Sequence, residues 1–389
     1  MKININKNFE KLNKNYLFHE IALKVNEFMA QNPNKELISL GIGDVTLPLV
    51  SCVSNALSLA SQDMANQESF CGYSDFQGIF SLRTNIKKRY DRMGACVELD
   101  DIFVNDGAKS DLANLCDIFG KNEVVIFDPV YPVYFDANTI AGQKIRLVPT
   151  DEKEGFLPSP SQLKTKPYVI YLCSPNNPTG AVFNREQLKK WVDFARESGS
   201  ALIFDAAYES YISNDELPHS IFEIEGAREV AIEVCSLSKM AGFTGVRCGW
   251  TVIARENPLY PLWKRRQSTK FNGASVISQK GAIAALSIEG EKECKKQISY
   301  YMNNAEGLAK TLKSKYIFFT GGSHSPYLWV KCPQNKSSWE FFDLLLKETG
   351  IICTPGSGFG ESGEGFVRFS AFASHENMQK AIERLDRFL

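Results

Sequence analysis

Short runs of apolar, β-favouring residues alternate with helical segments through the middle of this chain. Strand-like runs occur at 101–107, 123–129, 144–150, 168–175, 201–208, 229–238 and 249–254. The clearest helix between them is REQLKKWVDFARES at 185–198. This alternation predicts an α/β fold, with a parallel or mixed sheet covered by helices on both faces. Ligands of such sheets bind beyond the carboxyl ends of the strands.

The pattern changes in the last third of the chain. Apolar residues at helical spacing run from about Ser275 to Lys313, and they predict one long helix. Four strand-like pieces follow, YIFFTGG, PYLWVKC, GIICTPG and GFVRFSAF, with the helix SSWEFFDLLLKETG among them. We therefore expect a smaller α+β domain at 281–389, a large domain at 46–280, and an N-terminal segment at 1–45 that joins the small domain.

Composition excludes several classes of protein. The 389 residues carry 44 Lys and Arg against 45 Asp and Glu, so the chain lacks the basic excess that nucleic-acid binding requires. No run approaches the about 18 apolar residues of a membrane-spanning helix, and the polar start is not typical of a secretory signal. The 10 Cys and 4 His are scattered without a C-x-x-C pair, which disfavours a metal site. We expect a cytoplasmic protein that binds no metal, nucleic acid or membrane.

Polar residues follow two of the predicted strands. The run SPNNPTG at 174–180 comes directly after YVIYLC, and it includes Asn177. The run LIFDAAY places Asp205 and Tyr208 at the end of the next strand. Either feature alone has an ordinary explanation, since Asn, Pro and Gly form turns and Asp caps helices. Together they place an amide, a carboxylate and a phenol at one edge of the sheet.

A second group of polar residues suits a phosphate and an amine nucleophile. Ser236, Ser238 and Lys239 end another strand-like run, and Arg247 follows within the same segment. Hydroxyls and a planar guanidinium bind phosphate well, which leaves the lysine amine to react. The sequence NDGAK at 105–109 forms a strand-to-helix junction, where backbone N–H groups also bind phosphate.

These groups together predict a site for pyridoxal 5'-phosphate. That cofactor needs a lysine for its Schiff base, a carboxylate beside its pyridine nitrogen and donors to its phenolate oxygen. Lys239 and Asp205 meet the first two needs, and Asn177 and Tyr208 meet the third. Tyr131, in the run DPVYPVY, is expected to stack on the ring.

The ordered motifs GAK, DPVYP, SPNNPTG, DAAY, SLSK and GVR resemble those of the fold-type-I, class I/II aminotransferases. A tighter resemblance is to the LL-diaminopimelate aminotransferases. It is carried by KNYLFHEIA (14–22), LGIGDVTLPL (40–49), FDAAYESYISNDELPHSIFEIEGAREVAIE (204–233), TKFNGAS (269–275) and TPGSGFGESGEGFVRFSAF (354–372). These segments span nearly the whole chain.

The resemblance implies a role for each matching position. Lys239 would carry the cofactor and shuttle the proton, and Arg368 would bind the substrate α-carboxylate. The phosphate would be held by Ala108, Lys109, Ser236, Ser238 and Arg247. Further substrate or cofactor contacts would come from Tyr16, Gly43, Tyr73, Lys109, Tyr131, Asn177 and Asn272, with Glu68 on the distal ammonium. In the family, Tyr16, Glu68, Tyr73 and Asn272 come partly from a neighbouring subunit, so the resemblance also implies a homodimer.

The expected reaction interconverts ring-opened tetrahydrodipicolinate plus L-glutamate and LL-2,6-diaminopimelate plus 2-oxoglutarate, in lysine and peptidoglycan synthesis. Three alternatives stay open at this point. One is a class I/II aminotransferase with another substrate, because Cys71, beside Gly72 and Tyr73, places a small apolar residue near the expected distal pocket. The second is a carbon–sulfur β-lyase with the same fold and cofactor. The third is a regulatory domain that only senses the cofactor, although no DNA-binding module precedes Leu40.

Overall fold

The computed structural model describes residues 3–12 and 17–389. None of the helices in these ranges is long and apolar enough to cross a membrane. The helices are α1 (Leu17–Gln31), α2 (Ser51–Asp63), α3 (Phe80–Met93), α4 (Ala108–Asn114), α5 (Val133–Ile140), α6 (Arg185–Ser198), α7 (Ala227–Val230), α8 (Leu237–Met240), α9 (Tyr260–Lys270), α10 (Val276–Ala285), α11 (Ile288–Ser314), α12 (Ser338–Thr349) and α13 (His375–Phe388). The strands are β1 (Ile38–Ser39), β2 (Ile102–Asn105), β3 (Glu123–Asp128), β4 (Lys144–Pro149), β5 (Val169–Cys173), β6 (Ala201–Asp205), β7 (Ala231–Ser236), β8 (Gly249–Ile253), β9 (Phe319–Gly321), β10 (Tyr327–Lys331), β11 (Ile351–Ile352), β12 (Thr354–Pro355) and β13 (Phe366–Ser370).

A large mixed sheet organises the middle of the chain. In the described residues its seven strands follow the order β2-β8-β7-β6-β5-β3-β4. Strand β8 runs antiparallel to β2 and β7, and the other pairs are parallel. Along β3, Val125 and Phe127 join one core cluster while Val124 and Ile126 join another. Because successive strand residues point to opposite faces, both faces are covered, and the predicted mostly parallel α/β sheet is confirmed.

The parallel strands bring the predicted polar segments to one edge of this sheet. Cys173, the last residue of β5, is the register partner of Asp205, the last residue of β6. Strand β7 runs parallel to β6 and ends at Ser236. The segments that follow these three strands therefore emerge side by side. They contain the amide, carboxylate, hydroxyl and amine groups that the sequence singles out.

A second, smaller sheet lies in the C-terminal part of the chain. Its order is β12-β13-β10-β9, with antiparallel pairs throughout, and residues of α11, α12 and α13 share its core cluster. The N-terminal segment packs here too, since Ile38 of β1 pairs in parallel with Ile351 of β11. Leu17 and Ile21 of α1 belong to the same cluster. The exact boundaries at residues 45 and 280 stay a prediction.

Two elements in the last third of the chain differ from what the sequence patterns predict. The single helix expected from Ser275 to Lys313 is two helices, α10 and α11, separated at Leu286 and Ser287. The Ser287 hydroxyl accepts the N–H of Gly290 at 3.0 Å, so a local cap starts a new helix inside the apolar periodicity. The run GIICTPG is likewise two short strands, because β11 pairs with β1 whereas β12 pairs with β13.

Candidate active site

A cavity of about 370 Å³ opens at the carboxyl edge of the large sheet and reaches the small sheet. It is lined by most of the residues that the sequence predicts for the site. These are Gly43, Ala108, Lys109, Tyr131, Asn177, Asp205, Tyr208, Ser236, Ser238, Lys239, Arg247 and Arg368. Positions from the two ends of the chain thus face the same space.

The remaining predicted residues are not brought into this cavity within one chain. Glu68, Tyr73 and Asn272 are exposed, Tyr73 to 87%, and none of the three lines the cavity. Tyr16 lies outside the described residues. The roles predicted for these positions stay predictions.

Lys239 lies on the short helix α8, which begins directly after β7. The strand expected to reach residue 238 ends at Ser236. The Ser236 hydroxyl accepts the N–H of Ser238 at 3.1 Å and caps the start of the helix. The amine of Lys239 donates to the carbonyl of Gly43. Burial lowers the pKa of Lys239 to about 8, with Asp44 opposing and the cationic Arg368 adding to the shift. More of this amine is neutral near pH 7 than in an exposed lysine.

Asp205 is a buried carboxylate with defined hydrogen bonds. Its Oδ2 accepts from the Tyr134 hydroxyl at 2.5 Å, and its Oδ1 accepts from the backbone N–H of Ala207 at 3.0 Å. Burial raises the pKa of Asp205, while the hydrogen bonds from Tyr134 and Ala207 favour the charged form. A buried carboxylate held in this way is ready to pair with a cationic group in the cavity.

Arg368 is buried, with 1% exposure, and its hydrogen-bond partners are neutral. Nη1 donates to Oδ1 of Asn177 at 2.6 Å, and Nη2 donates to the carbonyl of Gly41 at 2.7 Å. The guanidinium carbon lies 4.3 Å from the ring centroid of Tyr327 and 4.9 Å from that of Phe359. The rings and the two acceptors fix the guanidinium without neutralising its charge.

Arg247 also lines the cavity, together with Ser236 and Ser238. Its Nη1 donates to Oγ of Ser238 at 3.3 Å, and its backbone has a φ of +68°. A Cβ built on Gly107 would overlap Nη2 of Arg247, so glycine is required there. Because Gly107 directly precedes α4, the guanidinium, the hydroxyls and the first N–H groups of that helix converge. Such a set suits a phosphate dianion.

Several residues of the site are missed by the sequence analysis. Asp44, Thr244 and Tyr327 line the cavity, and Tyr134, which does not line it, donates a hydrogen bond to Asp205. Tyr134 carries a usable signal, since it follows Tyr131 by one helical turn in DPVYPVY. Tyr327 carries none, because a tyrosine at the start of PYLWVKC is typical of any strand.

Comparison with known proteins identifies the family. Residues 35–385 match the model for aminotransferase class I and II, and the chain belongs to that family. An LL-diaminopimelate aminotransferase from Azobacteroides pseudotrichonymphae is 47% identical, over 100% of this chain and 99% of the relative. One from Lachnospira eligens is also 47% identical, over 98% of each chain.

A solved structure agrees with these sequence matches. The L,L-diaminopimelate aminotransferase from Chlamydomonas reinhardtii superposes with a TM-score of 0.93 at 42% identity, covering 100% of this chain and 99% of that one. Within the class I and II aminotransferases, the chain is therefore grouped with the LL-diaminopimelate aminotransferases. The fold expected from the resemblance is confirmed.

Proposed function

We propose that the protein is a pyridoxal-phosphate-dependent aminotransferase that interconverts LL-2,6-diaminopimelate and ring-opened tetrahydrodipicolinate, with 2-oxoglutarate and L-glutamate as the second pair. One observation carries this proposal. A single cavity holds the Lys239 amine, whose pKa is lowered to about 8, together with the buried Asp205 and the buried Arg368. An amine nucleophile, a ring-facing carboxylate and a carboxylate receptor are the groups this chemistry requires.

The donor set at the phosphate side fits the cofactor. Arg247, Ser236 and Ser238 line the cavity with Ala108, the first residue of α4. Because Gly107 has no Cβ, the Arg247 guanidinium can lie directly beside it. A Cβ at this position would overlap the guanidinium. We assign these groups to the cofactor phosphate, which they would hold by charge-assisted hydrogen bonds.

The donor set at the ring side also fits. Asp205 would hold a proton on the pyridine nitrogen, and Tyr131 would stack on the ring. Oδ1 of Asn177 already accepts from Arg368, so its amide N–H groups remain to donate to the phenolate oxygen. The Tyr208 hydroxyl is the second donor assigned to that oxygen.

The chemistry divides between the cofactor and this chain. When bound, the cofactor withdraws electrons from the substrate and so acidifies the proton on its Cα. Lys239 Nζ would take that proton from Cα and deliver it, as an ammonium, to C4′ of the cofactor, and in the reverse direction it would move the proton from C4′ back to Cα. An amine with a pKa of about 8 suits both roles near neutral pH.

Arg368 would bind the substrate's reacting α-carboxylate. Its Nε is buried without a hydrogen-bond partner among the described residues, while both Nη atoms are bonded. A buried donor without a partner is costly, and an entering carboxylate removes that cost. The same contact fixes the orientation in which Cα meets Lys239.

We infer that a second copy of the chain completes the distal end of the cavity. The segments of Tyr73 and Asn272 are neighbours, since Ser74 Oγ donates to the carbonyl of Ala274 at 3.4 Å. Tyr73 and the nearby Phe70 are exposed to 87% and 60%. An exposed aromatic pair beside polar groups is typical of an interface. Glu68 of this region is assigned to the distal ammonium of the substrate.

The reaction is tested by turnover with defined substrates. The purified protein is incubated with 2-oxoglutarate and LL-diaminopimelate, and glutamate is measured. We expect glutamate from the LL isomer and much less from the meso isomer or from aspartate. Glutamate production with aspartate but not with LL-diaminopimelate would contradict the proposed substrate. Release of pyruvate and ammonia from cystathionine would identify a β-lyase instead.

A further inference from the structure

Two buried tyrosines connect the Arg368 end of the cavity with the site assigned to the cofactor ring. Tyr208 and Tyr327 are 7% and 1% exposed, and their hydroxyl oxygens are 2.7 Å apart. Tyr208 follows β6 of the large sheet, whereas Tyr327 begins β10 of the small one. The two rings pack edge to face, with centroids 5.2 Å apart. This hydrogen bond therefore joins the two sheets at the active site.

Only one of two hydroxyls can donate in a single hydrogen bond, and the surroundings favour Tyr327. The guanidinium carbon of Arg368 lies 4.3 Å from the Tyr327 ring centroid. A cation against the ring makes the phenol more acidic and so a better donor. Burial raises the pKa of both tyrosines, more strongly for Tyr208, so both keep their protons near neutral pH.

We propose that Tyr327 is a positioning residue that donates its hydroxyl proton to Tyr208 and thereby turns the Tyr208 proton toward the phenolate oxygen of the cofactor. This role rests on the proposed function. Hydrogen bonds in a chain polarise one another, so Tyr208 becomes a stronger donor than an isolated phenol. Tyr327 would act on the cofactor only through Tyr208.

The position of the Tyr327 hydroxyl is fixed by Gly43. A Cβ built on Gly43 would overlap the Oη of Tyr327, so the hydroxyl fills the space where another residue would have its side chain. The carbonyl of the same glycine accepts from the Lys239 amine. Gly43 thus sets the positions of both the reactive amine and the donor to Tyr208.

The polarity of the pair is tested by a pH titration of visible absorbance on the holoenzyme, without substrate, for wild type and Tyr327→Phe. A strong donor to the phenolate oxygen weakens the hold of that oxygen on the proton of the cofactor–lysine linkage, which lowers the titration midpoint. Removing the Tyr327 hydroxyl should therefore raise the midpoint, by about 0.5 pH unit for one weakened hydrogen bond. The value of kcat should fall while KM for LL-diaminopimelate stays near wild type, because the phenylalanine ring still packs against Arg368.

Tyr301→Phe is the matched control. Tyr301 is 2% exposed in the same aromatic cluster, but its oxygen accepts from the backbone N–H groups of Thr46 and Leu47 at 2.8 and 2.7 Å. It should leave the midpoint unchanged. A lower or unchanged midpoint in Tyr327→Phe would overturn the role of Tyr327 while leaving the proposed function intact. A wild-type protein that binds the cofactor without any visible band would instead refute the proposed function.

Discussion

The hydroxyl of Tyr134 donates a 2.5 Å hydrogen bond to Oδ2 of Asp205. Tyr134 itself is not among the residues that line the cavity. Tyr134 is 1% exposed and its ring stacks on Tyr171, with centroids 5.0 Å apart. Burial raises the pKa of Asp205, and the hydrogen bond from Tyr134 is the largest contribution that lowers it. Tyr134 therefore helps keep the carboxylate charged.

Replacing Tyr134 by Phe should lower kcat, and the variant should still fold. Loss of the hydroxyl should raise the pKa of Asp205 further, so that less of it is ionised. A less ionised Asp205 would stabilise a protonated ring nitrogen less well. Hydrogen bonds to charged groups contribute about 1.5–3 kcal/mol, which corresponds to a fall in kcat of about tenfold or more. Steady-state kinetics checks this value. Tyr171→Phe, which removes a hydroxyl from the stacked neighbour, should have a much smaller effect, and equal losses would contradict the role of Tyr134.

The lowered pKa of Lys239 predicts the pH dependence of cofactor loading. Only the neutral amine attacks the aldehyde of pyridoxal phosphate, so the loading rate of apoprotein should rise with pH. Burial places the pKa at about 8, and the rate should level off above that pH. An ordinary lysine, with a pKa of about 10.4, would show a rate that still rises at pH 9. Stopped-flow absorbance over this pH range distinguishes the two.

Asp44→Asn provides the sign control for that experiment. The Asp44 charge raises the pKa of Lys239, against the lowering by burial. Removing the charge should move the midpoint of the loading rate to lower pH. A midpoint that moves up would show that Asp44 does not act on the Lys239 amine in this way.

The close approach of Gly43 and Tyr327 predicts a suppressor pair. Gly43→Ala should reduce activity and lower stability by about 1–3 kcal/mol, since its Cβ would overlap the Tyr327 hydroxyl. In the double variant Gly43→Ala/Tyr327→Phe the nearest remaining ring atom is Cζ at 3.4 Å, an ordinary contact. Thermal melts should show that the double variant regains the stability lost in Gly43→Ala. Gly120→Ala, where a Cβ meets nothing within 4 Å, is the control.

Hybrid dimers test whether Tyr73 acts across a subunit interface. A Lys239→Ala chain and a Tyr73→Ala chain are co-expressed with different tags, and the hybrid is purified. If each site combines Lys239 of one chain with Tyr73 of the other, the hybrid regains one complete site. The control hybrid pairs Lys239→Ala with Arg368→Ala, two residues of one cavity, and should stay inactive. An inactive Tyr73 hybrid would contradict the shared site.

The sequence predicts best those residues that directly follow a buried strand. Asn177, Asp205 and Lys239 are polar residues that end or follow apolar runs, and parallel strands bring such ends together. Their convergence therefore follows from the strand pattern. Arg368 does not follow a strand but lies inside the apolar strand β13. It is predicted only because the segment around it resembles a known family motif.

Residues that depend on contacts between the two sheets could not be predicted. The Tyr208–Tyr327 hydrogen bond joins positions 119 residues apart, and no local pattern specifies such a pair. The break between α10 and α11 was missed for a different reason. The Ser287 cap is a local signal, but the apolar periodicity on either side of it predicts an unbroken helix.

The most direct test of the proposed activity is an absorbance titration of the cofactor-loaded enzyme with single amino acids and no oxo acid. We predict that LL-diaminopimelate and glutamate each convert the visible band of the bound cofactor to the amine form, and that meso-diaminopimelate does not. A response to glutamate but not to LL-diaminopimelate would contradict the proposed substrate. A wild-type protein with no visible band would contradict the assignment of Lys239 itself.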